Sequence, residues 1–241
     1  MNIPRVLIAD SLEIDSEVQL SPESSKHLSK VLRKERKNKI EVFDGIGNSC
    51  EAEIIDPLAK SVMVRIVSNK VHQTKPKKKI NLALSLIKPS NFEYAIQKCT
   101  ELGVDKIVPI LAERSIYKID QKTILNKKKR WHMIAQGACE QCGNNWLPRI
   151  TNVMRITEWI KSLTSSQRIV FTLSASNKLS EVSLKEEIDI LIGPEGDLSI
   201  NEVEELVKNG FNSLSLGQRI LRAETAAIAS VSSIRALSGE F

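Results

Sequence analysis

The chain has 241 residues, of which 41% are hydrophobic, and a formal net charge of +6. This apolar content excludes a wholly disordered chain, and the length suits one or two domains. Apolar runs are short and interrupted by charge, so we expect no transmembrane helix, which needs about 20 apolar residues. The amino terminus lacks the apolar core of a signal peptide. We therefore expect a soluble, cytoplasmic protein.

Charge is distributed unevenly along the chain. Lysine and arginine dominate residues 26–39, and two further basic clusters occupy residues 75–79 and 127–130. Residues 181–205 are instead strongly acidic. A basic amino-terminal half is typical of a protein that binds a polyanion. Contacts to the phosphates of a nucleic acid give affinity but do not read its base sequence. A solvated, lysine-rich surface is the alternative.

The first 70 or so residues predict a small β-domain with a basic helix on its surface. The three clearest β-rich segments are residues 40–43, 51–55 and 61–67. Gly45-Ile46-Gly47 has the composition of a hairpin turn between the first two. Residues 24–34 predict a short helix with Leu28, Val31 and Leu32 on one side. Residues 73–79 are rich in lysine and poor in apolar side chains, so we place a basic linker there, after a first domain of residues 1–72.

From residue 80 to residue 241, strands and helices alternate, which predicts an α/β domain with a mostly parallel sheet. The predicted strands are residues 80–87, 106–111, 169–173, 188–192 and 214–216. Helices are predicted at residues 92–102, 121–141 and 200–209, and from the mid-220s to about 238. Ser90 or Asn91 would cap the first of these helices, and Ser199 and Glu202 form a capping box for the third.

Two segments of this domain depart from generic α/β sequence. Gly193-Pro194-Glu195-Gly196 follows a buried strand and leads into a capped helix. Residues 216–226 carry Gly217, Arg219, Arg222 and a glutamate before the last helix. Ligands of open α/β sheets bind beyond the carboxyl ends of strands, where glycine lets them approach the backbone closely. We expect the two segments to lie at neighbouring strand ends and to share one cleft.

A Cys-x-x-Cys pair, Cys139 and Cys142, has no second ligand pair at similar spacing, so we expect no metal site. It falls near the end of a helical pattern rather than at a helix start after a strand, which argues against a redox pair.

Gly-Pro-Glu-Gly followed by Leu-Gly-x-Arg-Ile-Leu-Arg-x-Glu-Thr-Ala resembles the SPOUT-superfamily methyltransferases. Within them the chain resembles the RsmE-like family, which methylates N3 of a uridine in 16S ribosomal RNA. The similarity extends over most of the chain, including residues 97–104, Arg114-Ser115, residues 140–143, residues 27–33 and residues 43–45. It implies a PUA-like β-barrel, a trefoil-knotted α/β domain, a homodimer and S-adenosylmethionine as methyl donor. The implied target is uridine 1498 in the decoding region, within an assembled or nearly assembled 30S subunit.

The resemblance also implies roles for individual residues. The cofactor would bind at Leu191, Ile192, Gly193, Pro194, Glu195, Gly196, Leu216, Gly217, Arg219, Ile220, Leu221 and Thr225. Arg222 would stabilise the uridine anion and Glu224 would accept its N3 proton, although the two could instead pair with each other and hold the loop. RNA would contact Lys30, Arg33, Lys34 and Lys37. The substrate side would carry Lys98, Glu101, Arg114, Glu140 and Gln141, which could equally form an ion-paired dimer seam.

Two positions differ from the family pattern. Asp197 stands where a further glycine is common, and Asn144 stands where an arginine is common, which removes a phosphate contact near residues 141–146. If the family glycine adopts a positive φ, aspartate tolerates that conformation better than most residues. Two other functions stay open: a SPOUT enzyme acting on transfer RNA or on a ribose 2′-hydroxyl, and a non-catalytic RNA-binding factor of ribosome assembly.

Overall fold

The computed structural model describes residues 3–9, 11–58, 60–117 and 121–241. The chain forms two compact units, the first from Met1–Lys75 with Cys139–Leu147, and the second from Pro76–Ala138 with Pro148–Phe241. Residues 139–147 therefore belong with the first unit and not, as predicted, with the second. Hydrogen bonds explain this grouping, because the Asn145 N–H donates to Gln73 Oε1 (2.7 Å) and the Trp146 indole donates to the Gln73 carbonyl (2.9 Å).

The first unit is built on a six-stranded sheet. Its strands are β1 (Arg5–Leu7), β2 (Glu17–Gln19), β3 (Lys39–Phe43), β4 (Asn48–Asp56), β5 (Met63–Ile66) and β6 (Val71–His72). They are arranged β1-β3-β4-β5-β2, with β6 beside β4, and only the β1–β3 pair is parallel. Alternate side chains such as Ile40, Val42 and Val64 are fully buried in one core. Gly45 (φ 75°) and Gly47 (φ 108°) form the predicted hairpin turn between β3 and β4.

The basic segment before β3 is not the single α-helix that was predicted. α1 (Pro22–Lys26) runs into a π-helical turn at His27–Val31, which is closed by the Leu32 N–H donating to the His27 carbonyl at 3.0 Å. Leu28 is buried as expected, but Val31 is 64% exposed and Leu32 is 39% exposed. The prediction is wrong for these two residues because the wider π turn rotates them off the face that Leu28 occupies.

The second unit contains a seven-stranded sheet in which every pair is parallel, confirming the predicted α/β class. Its strands are β7 (Lys79–Ser85), β8 (Lys106–Leu111), β9 (Arg149–Ile150), β10 (Met154–Arg155), β11 (Gln167–Phe171), β12 (Glu187–Ile192) and β13 (Asn212–Leu214). The order is β10-β8-β7-β12-β11-β13, with β9 beside β8. β12 and β13 are therefore not neighbours, because β11 lies between them. Phe171 at the carboxyl end of β11 is in register with Ile192 on one side and Leu214 on the other.

The helices of the chain beyond α1 are α2 (Pro89–Glu101), α3 (Gln121–Cys142), α4 (Ile156–Lys161), α5 (Ile200–Lys208) and α6 (Ala223–Leu237). α5 begins with the predicted capping box, in which Ser199 Oγ accepts from the Glu202 N–H and the Glu202 carboxylate accepts from the Ser199 N–H. The cap predicted for α2 is wrong: Lys88 occupies the N-cap position without a side-chain capping bond, since Pro89 is pre-organised for the first helical position. Within the described ranges, no helix is long and apolar enough to cross a membrane.

Arg235 on α6 is only 2% exposed and ties the last helix to two earlier segments of the second unit. Its guanidinium donates to the carbonyls of Lys78 (2.7 Å), Leu102 (3.1 Å) and Gly103. It also pairs with the Glu240 carboxylate at 2.6 Å. The hydrogen-bonding capacity of this buried guanidinium is thus satisfied. The carbonyls that it bonds lie just before β7 and β8, so Arg235 links α6 to the amino ends of these two strands.

Candidate functional site

A cavity of about 230 Å³ lies at the carboxyl ends of β11, β12 and β13. Both glycine-bearing segments line it, as the shared-cleft prediction requires. The predicted cofactor residues on its wall are Ile192, Gly193, Pro194, Glu195, Leu216, Gly217, Arg219, Ile220 and Leu221. Three others do not line it: Leu191 is buried in the core of the second unit, and Gly196 and Thr225 are exposed.

Sequence reasoning missed one side of this cavity. Phe171, Thr172 and Leu173 contribute it from the end of β11. The strand itself was predicted, but nothing in the sequence indicated that it lies between β12 and β13. The remaining residues that were not predicted are Asp197, Ser215, Ala223 and Ala226.

The turn after β12 brings backbone close to the cavity. A Cβ at Gly193 would lie 3.2 Å from Leu198 Cγ and 3.3 Å from the Leu198 nitrogen, so only glycine fits there without displacement. The Asp197 N–H donates to the Pro194 carbonyl at 2.9 Å, and Asp197 has a φ of 57°. The turn is therefore left-handed at Asp197, the position where the family pattern has glycine.

Two residues from other loops donate hydrogen bonds to this turn. The Arg114 guanidinium donates to the carbonyls of Gly196 (3.2 Å) and Leu198 (3.5 Å). The Lys88 N–H donates to the Glu195 carboxylate at 3.3 Å. Arg114, which was predicted on the substrate side, lies on the loop after β8, outside the cavity lining, and contacts the turn through these two carbonyls.

The second segment presents a bent backbone and exposed apolar side chains. Gly217 has a φ of 109°, and its N–H donates to Ser215 Oγ at 3.1 Å. Ile220 is 82% exposed and Leu173 is 58% exposed, although both line the cavity. Close backbone approach beside apolar side chains suits a flat aromatic group such as a purine base, and exposed backbone groups can read its edge.

The two predicted catalytic residues are placed differently. Arg222 is exposed and lines the cavity next to the start of α6. Glu224 is 9% exposed and does not line the cavity, and its Oε2 atom accepts no hydrogen bond from any described residue. The structure gives no ion pair between Arg222 and Glu224 in the part of the chain that it describes.

The predicted RNA residues fall into both units. The basic loop, which we define as residues 30–37, contains Lys30, Arg33, Lys34 and Lys37 in the first unit. Lys34 is half-buried and the other three are exposed. Arg33 (φ 49°) and Lys37 (φ 71°) are both left-handed. The Lys37 N–H donates to the Ile54 carbonyl at 2.8 Å, which ties the loop to β4.

The predicted substrate-side residues are engaged within their own units, Gln141 excepted. Lys98 pairs with Glu101 at 2.8 Å on α2, and this hydrogen bond raises the pKa of Lys98. Glu140 accepts from the Leu7 N–H at 3.2 Å in the first unit, and Gln141 is exposed. The pairing of Lys98 with Glu101 lies within one helix, so the dimer-seam alternative stays a prediction.

The two cysteines of the Cys-x-x-Cys pair lie in different environments. Cys139 is buried, and burial raises the pKa of its thiol to about 12, whereas Cys142 is exposed. A search of the described residues finds no group of three histidine, cysteine, aspartate or glutamate side chains that could hold a metal ion.

Comparison with known proteins places these features in context. The family model of the RNA methyltransferase domain matches residues 73–235. The protein named ribosomal RNA small subunit methyltransferase E of Buchnera aphidicola subsp. Schizaphis graminum is 32% identical over 240 residues, covering 99% of this chain and 98% of that one.

Two solved structures are similar over nearly the whole chain. A Legionella pneumophila protein in complex with the cofactor S-adenosylmethionine has a TM-score of 0.94 at 32% identity, covering 98% of each chain. The Neisseria gonorrhoeae ribosomal RNA small subunit methyltransferase E, bound to S-adenosylmethionine, has a TM-score of 0.91 at 27% identity, covering 98% of each chain.

Proposed function

This chain belongs to the family of ribosomal RNA small subunit methyltransferase E, and from that premise we propose that it methylates small-subunit ribosomal RNA with S-adenosylmethionine. The proposed target atom is N3 of a uridine, the equivalent of uridine 1498 in the decoding region of 16S ribosomal RNA. The observation that carries the proposal is the cavity that the turn after β12 and the segment after β13 line together.

The residues of the cavity fit the methyl donor. Gly193 and Gly217 leave room for backbone to approach the adenosine, and Ile220 and Leu173 offer apolar surface that the base would cover. Burial of such exposed side chains contributes about 25 cal/mol for each Å² removed from water. When bound, the donor supplies an electrophilic methyl group on a sulfonium sulfur.

Transfer to N3 requires that this nitrogen lose its proton and lie in line with the methyl group and the sulfur. Holding the two reactants in that geometry supplies much of the rate. Arg222 is exposed at the cavity wall, where its guanidinium would stabilise the negative charge on the uracil carbonyl oxygens as the proton leaves.

Glu224 does not suit the role of proton acceptor in this conformation. It is buried in the first turn of α6 and lies outside the cavity lining. A carboxylate in a first turn interacts favourably with the helix dipole, so we propose that Glu224 stabilises the start of α6 and that water accepts the N3 proton.

The finer architecture is also proposed. The first unit has the small, mostly antiparallel sheet and the basic loop expected of a PUA-like RNA-binding barrel. The second unit brings the segments after β12 and β13 together across β11, as expected of a trefoil-knotted domain that pairs as a homodimer. The low aromatic content, 4%, makes base stacking on a platform improbable, so we propose recognition by the shape of folded RNA in a 30S particle.

The decisive experiment is methyl transfer from labelled S-adenosylmethionine to 30S particles from a strain that lacks this enzyme. We expect one methyl group at N3 of the target uridine by base mapping, and a strong rate loss for Arg222→Ala. Arg149→Ala, an exposed residue on β9, serves as the matched control. An unchanged rate for Arg222→Ala would exclude its assigned role.

The competing functions give different results. Methylation of a ribose 2′-hydroxyl or of transfer RNA would place the protein among other SPOUT enzymes. Absence of S-adenosylmethionine binding in calorimetry on the purified protein would favour a non-catalytic assembly factor.

The RNA surface is tested separately through salt dependence. Each phosphate contact changes the slope of log K against log salt by about 0.9 for duplex nucleic acid. We expect a shallower slope and weaker binding when three lysines of the basic loop become alanine, namely Lys30, Lys34 and Lys37. The control replaces three exposed lysines of the second unit, namely Lys161, Lys178 and Lys208. Equal slopes for the two triple variants would show that the basic loop does not contact phosphate.

A further inference from the structure

Asp197 places a carboxylate on the wall of the cavity at a backbone conformation that disfavours most residues. Its φ of 57° lies in the left-handed region, which costs a non-glycine residue energy and persists only where the surroundings impose it. Those surroundings are present, because the Asp197 N–H bonds the Pro194 carbonyl and Arg114 bonds the carbonyls of Gly196 and Leu198 on either side. The position of the carboxylate is therefore fixed before a ligand arrives.

Within the part of the chain that the structure describes, only one oxygen of this carboxylate accepts a hydrogen bond. Asp197 Oδ1 accepts from the Leu198 N–H at 2.8 Å and would lie 3.3 Å from a Cβ at Gly193. No hydrogen bond from the described residues reaches Oδ2. Asp197 is half-buried and lines the cavity, so the second oxygen remains available to a ligand beside the Gly193 backbone.

The other charged groups of the cavity make this carboxylate distinctive. Arg219 and Arg222 are exposed cations that line the cavity. Glu195 is exposed and accepts from the Lys88 N–H, which directs its carboxylate towards the start of α2. Asp197 is thus the half-buried anion among these four groups. S-adenosylmethionine carries a sulfonium, an ammonium and a carboxylate; the two positive groups are complementary to Asp197, whereas the carboxylate is complementary to the arginines.

We propose that Asp197 is a specificity residue whose carboxylate pairs with positive charge on the methyl donor. This inference rests on the proposed function, since it assumes that the cavity binds S-adenosylmethionine. The charge involved is the sulfonium or the ammonium, and the two sources are separable because the demethylated product, S-adenosylhomocysteine, keeps the ammonium but has a neutral sulfur. 5′-Methylthioadenosine has neither charge.

The test is calorimetric affinity of the full chain for these three ligands, with wild type, Asp197→Asn and Asp197→Gly. Asparagine tolerates the left-handed conformation and keeps the shape while removing the charge, and glycine adopts the conformation freely. We expect both variants to bind S-adenosylmethionine about tenfold or more weakly, as for loss of a hydrogen bond to a charged group. Affinity for 5′-methylthioadenosine should stay within about twofold of wild type, since it carries neither charge.

S-adenosylhomocysteine then identifies the charge that is bound. An equal loss of its affinity assigns the ammonium, and an unchanged affinity assigns the sulfonium; either result supports the proposal. Unchanged S-adenosylmethionine affinity in Asp197→Asn would overturn it, and so would equal weakening of all three ligands, which indicates a ribose contact or a structural role. If wild type binds none of the three, the proposed function fails as well, whereas a wild type that binds normally confines the failure to Asp197.

Discussion

Arg114 offers the sharpest test of how the cavity is shaped, because it lies outside the cavity lining and acts on the turn through backbone carbonyls. Its bonds to Gly196 and Leu198, at 3.2 and 3.5 Å, flank the left-handed Asp197. A single hydrogen bond of this kind contributes about 0.5–1.5 kcal/mol, and the longer bond contributes less. Arg114→Ala therefore removes about 1–2 kcal/mol of support for the turn. If S-adenosylmethionine must re-form the turn when it binds, the Kd of its complex with the variant rises about five- to thirtyfold.

The assay is calorimetric titration of Arg114→Ala with S-adenosylmethionine, followed by methyl-transfer kinetics. We expect a higher KM for the donor with kcat nearly unchanged, and partial recovery in Arg114→Lys. Arg149→Ala is the control. Arg149 is exposed and pairs with the amino end of β8, whereas Arg114 follows the carboxyl end of that strand. Donor affinity within twofold of wild type, together with weaker RNA binding, would refute the positioning role and restore Arg114 to the RNA side.

Three further predictions concern stability and thiol chemistry. Arg235→Ala should lower the free energy of unfolding in urea by about 3–5 kcal/mol, because the half-buried Glu240 carboxylate and several backbone carbonyls lose their partner. Arg235→Lys should be less affected, and equal urea midpoints for Arg235→Ala and wild type would contradict this. Gly193→Ala should overpack its turn and lower the free energy of unfolding by about 1–3 kcal/mol. Gly137 lies in a helix with nothing within 4 Å of an added Cβ, so Gly137→Ala should raise the free energy of unfolding by about 0.5–1 kcal/mol. A Gly193→Ala variant more stable than Gly137→Ala would refute this geometry. Iodoacetamide at pH 8 should alkylate Cys142 and spare Cys139, whose raised pKa of about 12 keeps the thiol protonated; equal labelling by mass spectrometry would be inconsistent with that burial.

Local patterns predicted the elements of this fold well, because the forces that form them act over a few residues. The capping box at Ser199 and the hairpin turn with Gly45 and Gly47 are each determined by neighbouring side chains, and both predictions are confirmed. The prediction of a single α-helix was wrong for the segment that starts at His27. Over so short a stretch, a π-helical turn has nearly the same apolar spacing as an α-helix.

Long-range arrangement is where sequence reasoning stopped. Two loops were predicted to share a cleft and they do, but the strand between them was not anticipated, so Phe171 and Thr172 were missed. Strand order in a parallel sheet is set by how crossovers pack, and no single segment encodes it. The same limit explains why the contacts of Arg114 were not predicted. Arginine is a residue type that often binds phosphate, and only the fold reveals that this one donates to the carbonyls of Gly196 and Leu198.

The cavity depends on three segments that are distant in sequence, and this explains why its strain and exposed apolar surface are tolerated. Residues 171–173, 192–197 and 215–223 meet only when β11 lies between β12 and β13, so the proposed donor site cannot exist in the unfolded chain. A ligand that binds only the folded form stabilises it. The left-handed Asp197 costs conformational energy in the free protein, and the exposed Ile220 contributes little burial there. The bound donor would pair with the first and cover the second. The backbone strain at Asp197 and the unburied apolar surface at Ile220 therefore lie where donor binding would compensate for them.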